Sequence, residues 1–368
     1  RSGRNLSTQP VSETGALPDI DSPDLQTVYV QPKFIVTSMG VTALAQFLGT
    51  LEGGIGDALA VAQETAMIDH TKRLNQMLLA NGAQRVVAGG GSPDTVIEAE
   101  WLSVGDILNG TTVVGDVTVT AINIATNAVS YSGNALSTDE IIFTKSRAGF
   151  ASIDDIVNMT GRTINAVAMG ASKAPNYGSL VMADRDPLAW SAGNVYDNAG
   201  VLRHLTTGML DQAIDEVRRN GGEPDLLLTG VEQVTRLGTI LQANQHFVGE
   251  GTFQVKLGGE GTLKGYPTGF QVATYKGIPV FHDFDCATSM QLAAAVGDNK
   301  RGAKVYVLDT RFLEIPVLFT TQYMESRDYL QNNLLGIKAI YLTAAELRCL
   351  DFRKQAMVDD LSDGINLT

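Results

Sequence analysis

The stretch ETGALPDIDSPDLQTVYVQPKFIVT, residues 13–37, is an extended arm that leads toward a long helix. Its prolines at positions 18, 23 and 32 each remove a backbone hydrogen-bond donor and push the preceding residue toward extended geometry. The apolar side chains between them alternate in part with polar ones, as in a strand with one covered face. A two-stranded ribbon is only marginally stable in water by itself. We therefore predict half of a hairpin whose apolar side chains are covered by a neighbouring subunit, which indicates assembly.

A long helix is predicted directly after the arm, from Ile55 to Asn81, where Asn81-Gly82 is a favourable left-handed stop. At 1.5 Å per residue this helix would be about 40 Å long, which exceeds most helices of compact domains. An ordinary amphipathic core helix would explain the same residues, so the helix alone decides no function. Its predicted apolar stripe consists of Ile55, Leu59, Ala62, Ala66, Met67, Leu74 and Leu78.

Composition places the chain among globular proteins and limits its partners. The chain has 368 residues and a mass of 39.2 kDa, enough for two or three domains. Lys and Arg number 27 against 40 Asp and Glu, and the resulting net charge of −13 opposes sequence-independent binding to nucleic acid. No apolar run approaches the ~20 residues of a membrane span, and no signal peptide is visible, so we expect a soluble protein. Its start at Arg1 fits either a removed N-terminal segment or a numbering that begins later.

Beyond the long helix the sequence pattern changes twice. Residues 83–148 contain short β-type runs separated by Gly, Asn and Asp turn signals, which predicts a small all-β insertion with strands at 95–101, 111–114, 117–122, 128–131 and 140–144. Residues 150–320 mix helices and strands. A capped helix from Thr206 is predicted to place Leu210, Ala213, Ile214 and Val217 on one face and to stop at Asn220-Gly221-Gly222, and a buried strand at 226–229 and a long Gly-rich loop at 249–269 follow. Strands at 305–308, 315–321 and 337–350 and a polar tail follow. The fold class is therefore α+β.

No arrangement typical of an enzyme is found. The Gly-rich stretch 258–265 lacks the Lys-Ser/Thr ending that a phosphate-binding loop needs. The carboxylate pairs Asp154-Asp155 and Asp359-Asp360 point apart along the chain, so we expect solvated positions or helix N-terminal charges rather than a catalytic pair. We therefore predict no catalytic residues, no cofactor-binding residues and no cofactor.

The sharpest metal candidate is the segment with His282, Asp283 and Asp285, because imidazole and carboxylates at close spacing can ligate a divalent ion. Aspartate after a strand end commonly caps a turn, however, so we favour a structural interpretation and predict no metal site. The other histidines lack metal-type partners, and His70 is expected at a polar helix position; they are His70, His204 and His246. The cysteines Cys286 and Cys349 are expected to be buried thiols outside any disulfide bridge.

In their order and spacing these segments resemble the major capsid proteins of tailed double-stranded DNA viruses, which have the HK97-like fold. The resemblance spans nearly the whole chain, and its strength lies in the order of the segments. The matching pieces are ALPDIDSP at 16–23 with VYVQP at 28–32, LLANG at 78–82, the helix and strand at 210–228, IPVFHD at 278–283, VYVLDT at 305–310 and GIKAIY at 336–341.

The resemblance implies five regions. Residues 1–37 would be the N-arm and the E-loop, which lies over an adjacent subunit, and residues 38–82 would be the peripheral domain with its spine helix. Residues 83–148 would be a β insertion of the kind that many relatives carry. Residues 149–320 would be the axial domain, whose loops meet at five-fold and six-fold centres, and residues 321–368 would be the return strands of the peripheral domain.

The resemblance also implies a function. Many copies would assemble as hexamers and pentamers into an icosahedral shell that encloses double-stranded DNA, formed in the host cytoplasm and retained in the virion capsid. The implied partners are further copies, a portal protein, decoration or scaffolding proteins, and packaged DNA held by weak non-specific contact; a membrane is not among them. Some relatives crosslink an E-loop lysine to an asparagine of a neighbour, but this arm has no lysine before Lys33. We therefore predict a non-covalent shell, with Lys33 and Asn332 or Asn333 as the alternative isopeptide pair.

Two alternatives stay open. An encapsulin-type nanocompartment has the same fold but holds protein cargo, and the insertion together with the long start of the chain favours a virus. The other alternative is a small-molecule-binding or hydrolytic α+β enzyme that uses the His282 region. A monomeric solution mass with bound metal would favour the enzyme.

Overall fold

The structure is a computed structural model, and no helix in its described part is long and apolar enough to cross a membrane. The described residues are Pro10 and the ranges 28–49, 57–79, 84–96, 99–110, 115–138, 140–146, 148–157, 163–164, 167–168, 177–180, 193–198, 203–244, 274–283, 285–286, 304–327 and 335–362.

Helices and strands alternate irregularly along this part of the chain. The helices are α1 (Ala43–Gly49), α2 (Ala58–Leu79), α3 (Ile153–Val157), α4 (Thr207–Arg219) and α5 (Val231–Asn244). The strands are β1 (Lys33–Thr42), β2 (Gln84–Ala88), β3 (Asp94–Val96), β4 (Ile107–Gly110), β5 (Val117–Asn123), β6 (Ala128–Ser132), β7 (Ile141–Ser146), β8 (Thr163–Ile164), β9 (Val167–Ala168), β10 (Asn194–Tyr196), β11 (Leu226–Thr229), β12 (Thr274–Tyr275), β13 (Ile278–His282), β14 (Val305–Leu308), β15 (Leu313–Glu314), β16 (Val317–Ser326), β17 (Gly336–Ala345), β18 (Arg348–Cys349) and β19 (Ala356–Val358).

A three-stranded antiparallel sheet joins segments from the two ends of the described chain. Its strand order is β1-β17-β16, and β1 pairs with β17 without interruption from Lys33 opposite Ala345 to Thr42 opposite Gly336. A Cβ atom at Gly336 would collide with the backbone carbonyl of Val41, so glycine lets the strands approach here. The predicted hairpin is therefore wrong for residues 33–37, because their partner strand lies near the other end of the chain.

The boundary expected at residue 37 also falls inside a continuous strand, because β1 runs on to Thr42. The strand expected at 315–321 begins at Val317 and continues to Ser326, and the one expected at 337–350 is divided into β17 and β18. Residues 13–27 of the predicted arm lie outside the described residues.

Helix α2 covers 22 residues, which corresponds to about 33 Å. The carboxylate of Asp57 accepts the backbone N–H of Leu59 at 2.9 Å and thereby caps the helix start. The buried side of the helix runs from Ala66 through His70 to Met77, toward the three-stranded sheet. Met67 points away from that side and is 41% exposed, so its predicted place in the apolar stripe is wrong. The predicted helix ends at 55 and 81 lie outside the described residues.

Strands β2 to β7 close into an antiparallel barrel with the ring order β2-β3-β6-β5-β4-β7. The runs predicted at 117–122, 128–131 and 140–144 are confirmed as β5, β6 and β7, whereas β2 and β4 were not predicted. Trp101 lies in a 3-10 turn after β3 rather than in a strand. The barrel interior is one apolar cluster that includes Val86, Val96, Leu102, Leu108, Val117, Val129, Leu136 and Ile142.

A mixed six-stranded sheet, with the order β10-β19-β14-β11-β13-β12, forms another large unit. Val305 and Val307 of β14 pack with side chains of α4 and α5 on one face of the sheet. Tyr306 and Leu308 pack into a second cluster on the other face, together with side chains of α3. Because both faces are covered, β14 is a continuous apolar run rather than an alternating one.

The end of the chain enters this six-stranded sheet. Strand β19 pairs with both β10 and β14. Residues 356–358 therefore do not join β16 and β17 in the three-stranded sheet, and their apolar side chains are covered on both faces of the six-stranded sheet. The expected polar tail is likewise buried through Ser362.

Several local predictions are confirmed. The strands at 226–229 and 305–308 are present as β11 and β14. Helix α4 ends at Arg219, which confirms the predicted stop at 220–222, and Gly221 after it has a φ of 77°. Thr206 is the N-cap residue, but its side chain makes no capping hydrogen bond, so the predicted cap is wrong in that detail. The buried face of α4 is the predicted one: Leu210, Ala213, Ile214 and Val217.

A buried ion pair connects α3 to the six-stranded sheet. The Nζ atom of Lys304 donates to Oδ1 of Asp154 at 2.9 Å, and the two side chains are 2% and 0% exposed. The hydroxyl of Tyr306 donates to the same oxygen at 3.4 Å. Asp155 is buried as well and accepts the backbone N–H of Ser152 at 2.9 Å.

The second predicted carboxylate pair is also buried. The N–H of Asp360 donates to Oδ1 of Asp359 at 2.8 Å, and Oδ2 of Asp360 accepts the N–H of Asn198 at 2.6 Å. Neither pair is solvated, but the alternative of a helix N-terminal charge is confirmed for Asp154 and Asp155, which lie in the first turn of α3. The carboxylates instead satisfy hydrogen-bond donors that folding removes from water.

Replacing Lys304 by Met should lower the free energy of unfolding by about 3–5 kcal/mol, because the buried Asp154 carboxylate then loses its counter-ion. The double variant Asp154→Asn, Lys304→Met should recover much of this loss. As a matched control, Arg327→Met removes an ion pair with Glu325 whose arginine is 69% exposed, and it should cost less than about 1 kcal/mol. Chemical denaturation measures all three variants, and equal losses in the two single variants would contradict the assignment.

Candidate assembly surface

One face of the three-stranded sheet carries apolar side chains that no described part of the chain covers. Successive side chains of a strand point to opposite faces, and along β1 Ile35 is buried whereas Phe34 and Val36 are 58% and 51% exposed. Ala344 of β17 lies opposite Phe34 on one side and opposite Phe319 of β16 on the other. The rings of Phe34 and Phe319 accordingly lie across β17 with their centroids 6.4 Å apart.

The same face continues along the edge strand β16, whose side chains are exposed from Val317 to Glu325. The register places Met324 opposite Ile340, and Gln322 opposite Leu342. We call this surface the outer sheet face and define it by Phe34, Val36, Phe319, Met324, Ile340 and Leu342.

The opposite face of the sheet is covered by α2. The side-chain amide of Gln63 donates to the hydroxyl of Tyr323 at 2.7 Å, and the hydroxyl of Tyr341 donates to the carbonyl of Gln63 at 3.4 Å. The rings of Tyr323 and Tyr341 have centroids 5.4 Å apart. Among the described residues, one face of the sheet is therefore covered by a helix and the other is open.

Helix α1 presents a second apolar surface after β1. Leu44, Phe47 and Leu48 are 66%, 66% and 51% exposed, and no residue of α1 is buried. The carbonyl of Leu335 accepts the N–H of Ala43 at 2.9 Å, and the Leu335 side chain is 70% exposed. A helix this short is marginal in water without packing, so its exposed apolar side chains indicate a contact surface.

Exposed large apolar side chains are concentrated in this part of the molecule. Of the 21 such side chains in the described chain, 14 lie on β1, α1, α2 or β16, or at Leu335. Scattered exposed apolar residues are normal, whereas a group that shares one face, as Phe34, Val36, Phe319 and Met324 do, marks an interaction surface. The 14 are Phe34, Val36, Leu44, Phe47, Leu48, Val61, Met67, Ile68, Val317, Leu318, Phe319, Tyr323, Met324 and Leu335.

The carboxylates of the predicted metal candidate contact α2. The side-chain amide of Asn75 donates to both carboxylate oxygens of Asp283 and to Oδ2 of Asp285, each at 3.1 Å. The N–H of Asp285 also donates to Oδ1 of Asp283 at 2.8 Å, which closes the turn, and His282 is exposed at the end of β13. Among the residues that the structure describes, no group of three or more His, Cys, Asp or Glu side chains could hold a metal ion. The absence of a metal or cofactor site stays a prediction.

The remaining candidate residues occupy separate places. Nδ1 of His204 lies 3.1 Å from the hydroxyl of Ser362, while His246 and the Gly-rich stretch 258–265 lie outside the described residues. His70 is fully buried against the sheet, so the prediction of an ordinary polar helix position is wrong. The predicted burial of both cysteines is confirmed for Cys286 and Cys349.

A cavity of about 330 Å³ lies where the end of the arm meets α3 and β17, and sequence reasoning missed it. Lys33, Asp155 and Glu346 line this cavity. Burial raises the pKa of the Glu346 carboxyl, while hydrogen bonds from the N–H groups of Ala151 and Leu347 and the charge of Lys33 oppose this rise. Glu346 follows β17 without any local motif, so no sequence signal marks it.

Replacing Asn75 by Leu should lower the free energy of unfolding by about 1–2 kcal/mol, because the carboxylates of Asp283 and Asp285 lose their shared donor. Asp69→Asn, on the exposed side of α2, is the control and should change stability by less than about 0.5 kcal/mol. Thermal and chemical unfolding would measure both. If the Asn75→Leu substitution left the free energy of unfolding unchanged, this contact would not be what holds α2 to the turn after β13.

Comparison with known proteins shows a structural likeness without a sequence match. No protein-family model and no curated protein matches the chain. The chain is similar to a solved chain of the cyanophage A-1(L) capsid asymmetric unit, with 15% identity, coverage of 96% of this chain and 85% of that chain, and a TM-score of 0.55. This likeness confirms the predicted α+β, HK97-like fold.

Two further solved structures align over most of the chain. A structure of Mycobacterium phage Ogopogo has 10% identity, covers 98% of this chain and 85% of that chain, and has a TM-score of 0.43. The encapsulin complex of Synechococcus elongatus has 10% identity, covers 95% and 79% of the respective chains, and has a TM-score of 0.40. Alignments this loose carry no argument about fold or function.

Proposed function

We propose that this chain is the major capsid protein of a tailed double-stranded DNA virus, and that its copies assemble as hexamers and pentamers into an icosahedral shell around the genome. The outer sheet face carries the proposal, because it is an open apolar surface on a chain that shares its fold with a protein of the A-1(L) capsid. The role is structural rather than enzymatic.

Burial of the outer sheet face supplies the driving force in this proposal. Removing apolar surface from water stabilises by about 25 cal/mol per Å², and stable protein interfaces bury roughly 1,200–2,000 Å² in total. Phe34, Val36, Phe319 and Met324 are each at least 42% exposed and contribute to one patch. In a symmetric shell every copy makes the same contacts, so a modest free energy per interface is repeated many times.

The same proposal assigns a part of the capsid fold to each structural unit of the chain. Helix α2 with the three-stranded sheet corresponds to the spine and the peripheral domain, the six-stranded sheet to the axial domain, and the barrel to the β insertion. The net charge of −13 suits a container that contacts its DNA weakly. A portal and decoration or scaffolding proteins would be further partners, with assembly in the host cytoplasm and residence in the virion.

An encapsulin-type shell is the nearest competing function, and the contents of purified particles distinguish the two: DNA supports the capsid, whereas a protein cargo supports the encapsulin. Among the described residues, the segment around His282 does not support the enzyme alternative, because Asn75 donates to the carboxylates of Asp283 and Asp285 in a structural turn.

Introducing a charge on the outer sheet face should block assembly without unfolding the chain. Val36→Glu and Phe319→Glu each place a carboxylate where the proposal buries an apolar side chain, so we expect at least a tenfold loss of closed particles. Ile124→Glu is the matched control, because Ile124 is 62% exposed in a turn of the barrel, away from the sheet. Electron microscopy and sedimentation measure assembly, and thermal unfolding checks the fold. Normal shells from both sheet variants would contradict the proposal.

The proposed shell should be held together without covalent links between copies. Boiling particles in detergent without reductant should therefore release single chains near 39.2 kDa. Lys33 lies beside the cavity that contains Glu346, and Asn332 and Asn333 lie outside the described residues. A ladder of heat-stable multimers would overturn the prediction and would make these residues the first to substitute.

A further inference from the structure

His70 lies in the contact between α2 and the three-stranded sheet, and its side chain is 0% exposed. Its Nδ1 atom is 2.9 Å from Oγ1 of Thr37 on β1, and its Nε2 atom is 2.8 Å from Oγ1 of Thr343 on β17. Oγ1 of Thr343 is in turn 2.8 Å from Oγ1 of Thr321 on β16. One chain of hydrogen bonds thus joins α2 to all three strands of the sheet.

The groups that face His70 from the sheet are neutral. The ring of Tyr341 on β17 lies 6.2 Å from the imidazole, and Tyr323 on β16 donates its hydroxyl to the carboxylate of Glu325 at 2.9 Å. Lys33, the first residue of β1, is charged, but its charge acts on the carboxyl group of Glu346, where it opposes the rise in pKa that burial causes. Burial lowers the pKa of His70, and no described charge opposes that shift. The charged residues of α2 next to His70 in sequence are Asp69 and Lys72, which are exposed, and Arg73, which donates to Leu102 and Ser103.

The hydrogen-bond chain accommodates a neutral imidazole in either tautomer, since one ring nitrogen accepts from a threonine hydroxyl while the other donates to one. An added proton makes both nitrogens donors. The threonine oxygens of Thr37 and Thr343 can accept both bonds, so the bonds themselves persist. The cost of protonation is a buried positive charge without a counter-ion. Protonation therefore weakens the packing of α2 against the sheet, because the charged imidazole reaches water only when the helix and the sheet separate.

We propose that His70 forms a proton-sensitive contact between α2 and the three-stranded sheet. The neutral side chain holds the helix against the sheet, and uptake of one solvent proton weakens this packing. This contact lies on the opposite side of the sheet from the outer sheet face, and its protonation affects the stability of a single, unassembled chain. In an assembled shell it would make the contacts of that sheet weaken in acid, because α2 supports the sheet from its inner side.

The direction of the pH effect follows from linkage between protonation and folding. The unfolded chain takes up the proton more readily than the folded one, since folding lowers the pKa of His70. The contribution of neutral His70 to the free energy of unfolding is therefore complete above the unfolded histidine pKa of about 6.5. This contribution is lost as the pH falls below that value. At about pH 5 this single group lowers the folding equilibrium constant by at most about 30-fold relative to about pH 8.

The test compares the full-length chain with two variants by chemical denaturation at about pH 8, 6.5 and 5. In His70→Gln the amide can still accept from one threonine and donate to the other, but it takes up no proton. His282→Gln, at an exposed position, is the matched control. We expect the folding constant of the wild-type chain and of His282→Gln to fall up to about 30-fold more in acid than that of His70→Gln. Equal pH dependence in all three chains would overturn the proposal.

If His70→Gln does not fold, a second measurement tests whether His70 stays neutral in the folded wild-type chain. The chain has four histidines, so the imidazole of His70 can be followed by NMR in the histidine-labelled wild-type protein. It should stay neutral until the protein unfolds, and an ordinary titration near pH 6.5 in the intact fold would overturn the proposal. Because both measurements use the unassembled chain, a failure of the proposed capsid function would leave their outcome unchanged.

Discussion

The structure depends on the pairing of β1 with β17. These strands lie about 300 positions apart in the chain, so bringing them together closes a very long loop, at an entropic cost that grows only with the logarithm of its length. Ten uninterrupted residue pairs offset that cost, and the resulting sheet provides the surface on which α2 packs. Without this pairing, Ile35 and Val41 would lose their cover, and the hydrogen-bond chain through His70 would lose both of its strand partners.

The same sheet explains why the molecule presents one open apolar face. A single helix covers only one side of a sheet, and no second layer of described residues covers the other side. The barrel and the six-stranded sheet differ, because closure into a ring protects the barrel interior and packed layers cover both faces of the larger sheet. In the proposed assembly this incomplete layer supplies the contact surface, while the buried ion pair of Lys304 and Asp154 joins α3 to the six-stranded sheet.

Sequence reasoning failed at particular residues of the candidate site for a common reason. The apolar stripe of α2 was read from helical spacing, which includes Met67 but takes no account of a histidine that two threonines on distant strands can satisfy. Adjacent aspartates usually indicate a solvated position, yet Asp154 meets Lys304, which lies 150 positions away. The outer sheet face had no sequence signature, because Phe34 and Phe319 become neighbours only through the register of β17.

The sequence by itself determined the elements whose patterns lie within a few residues: the buried stripe of α4, the apolar runs of β11 and β14, the strands β5, β6 and β7 of the barrel, and the order of segments that resembles a capsid protein. These depend on side-chain periodicity and turn chemistry, which neighbouring residues specify. Only the tertiary structure decided that β1 pairs with its own chain, that β19 joins the six-stranded sheet, and which face of the three-stranded sheet stays open. Those outcomes depend on contacts between residues far apart in sequence, and local patterns carry no information about which partner a strand meets.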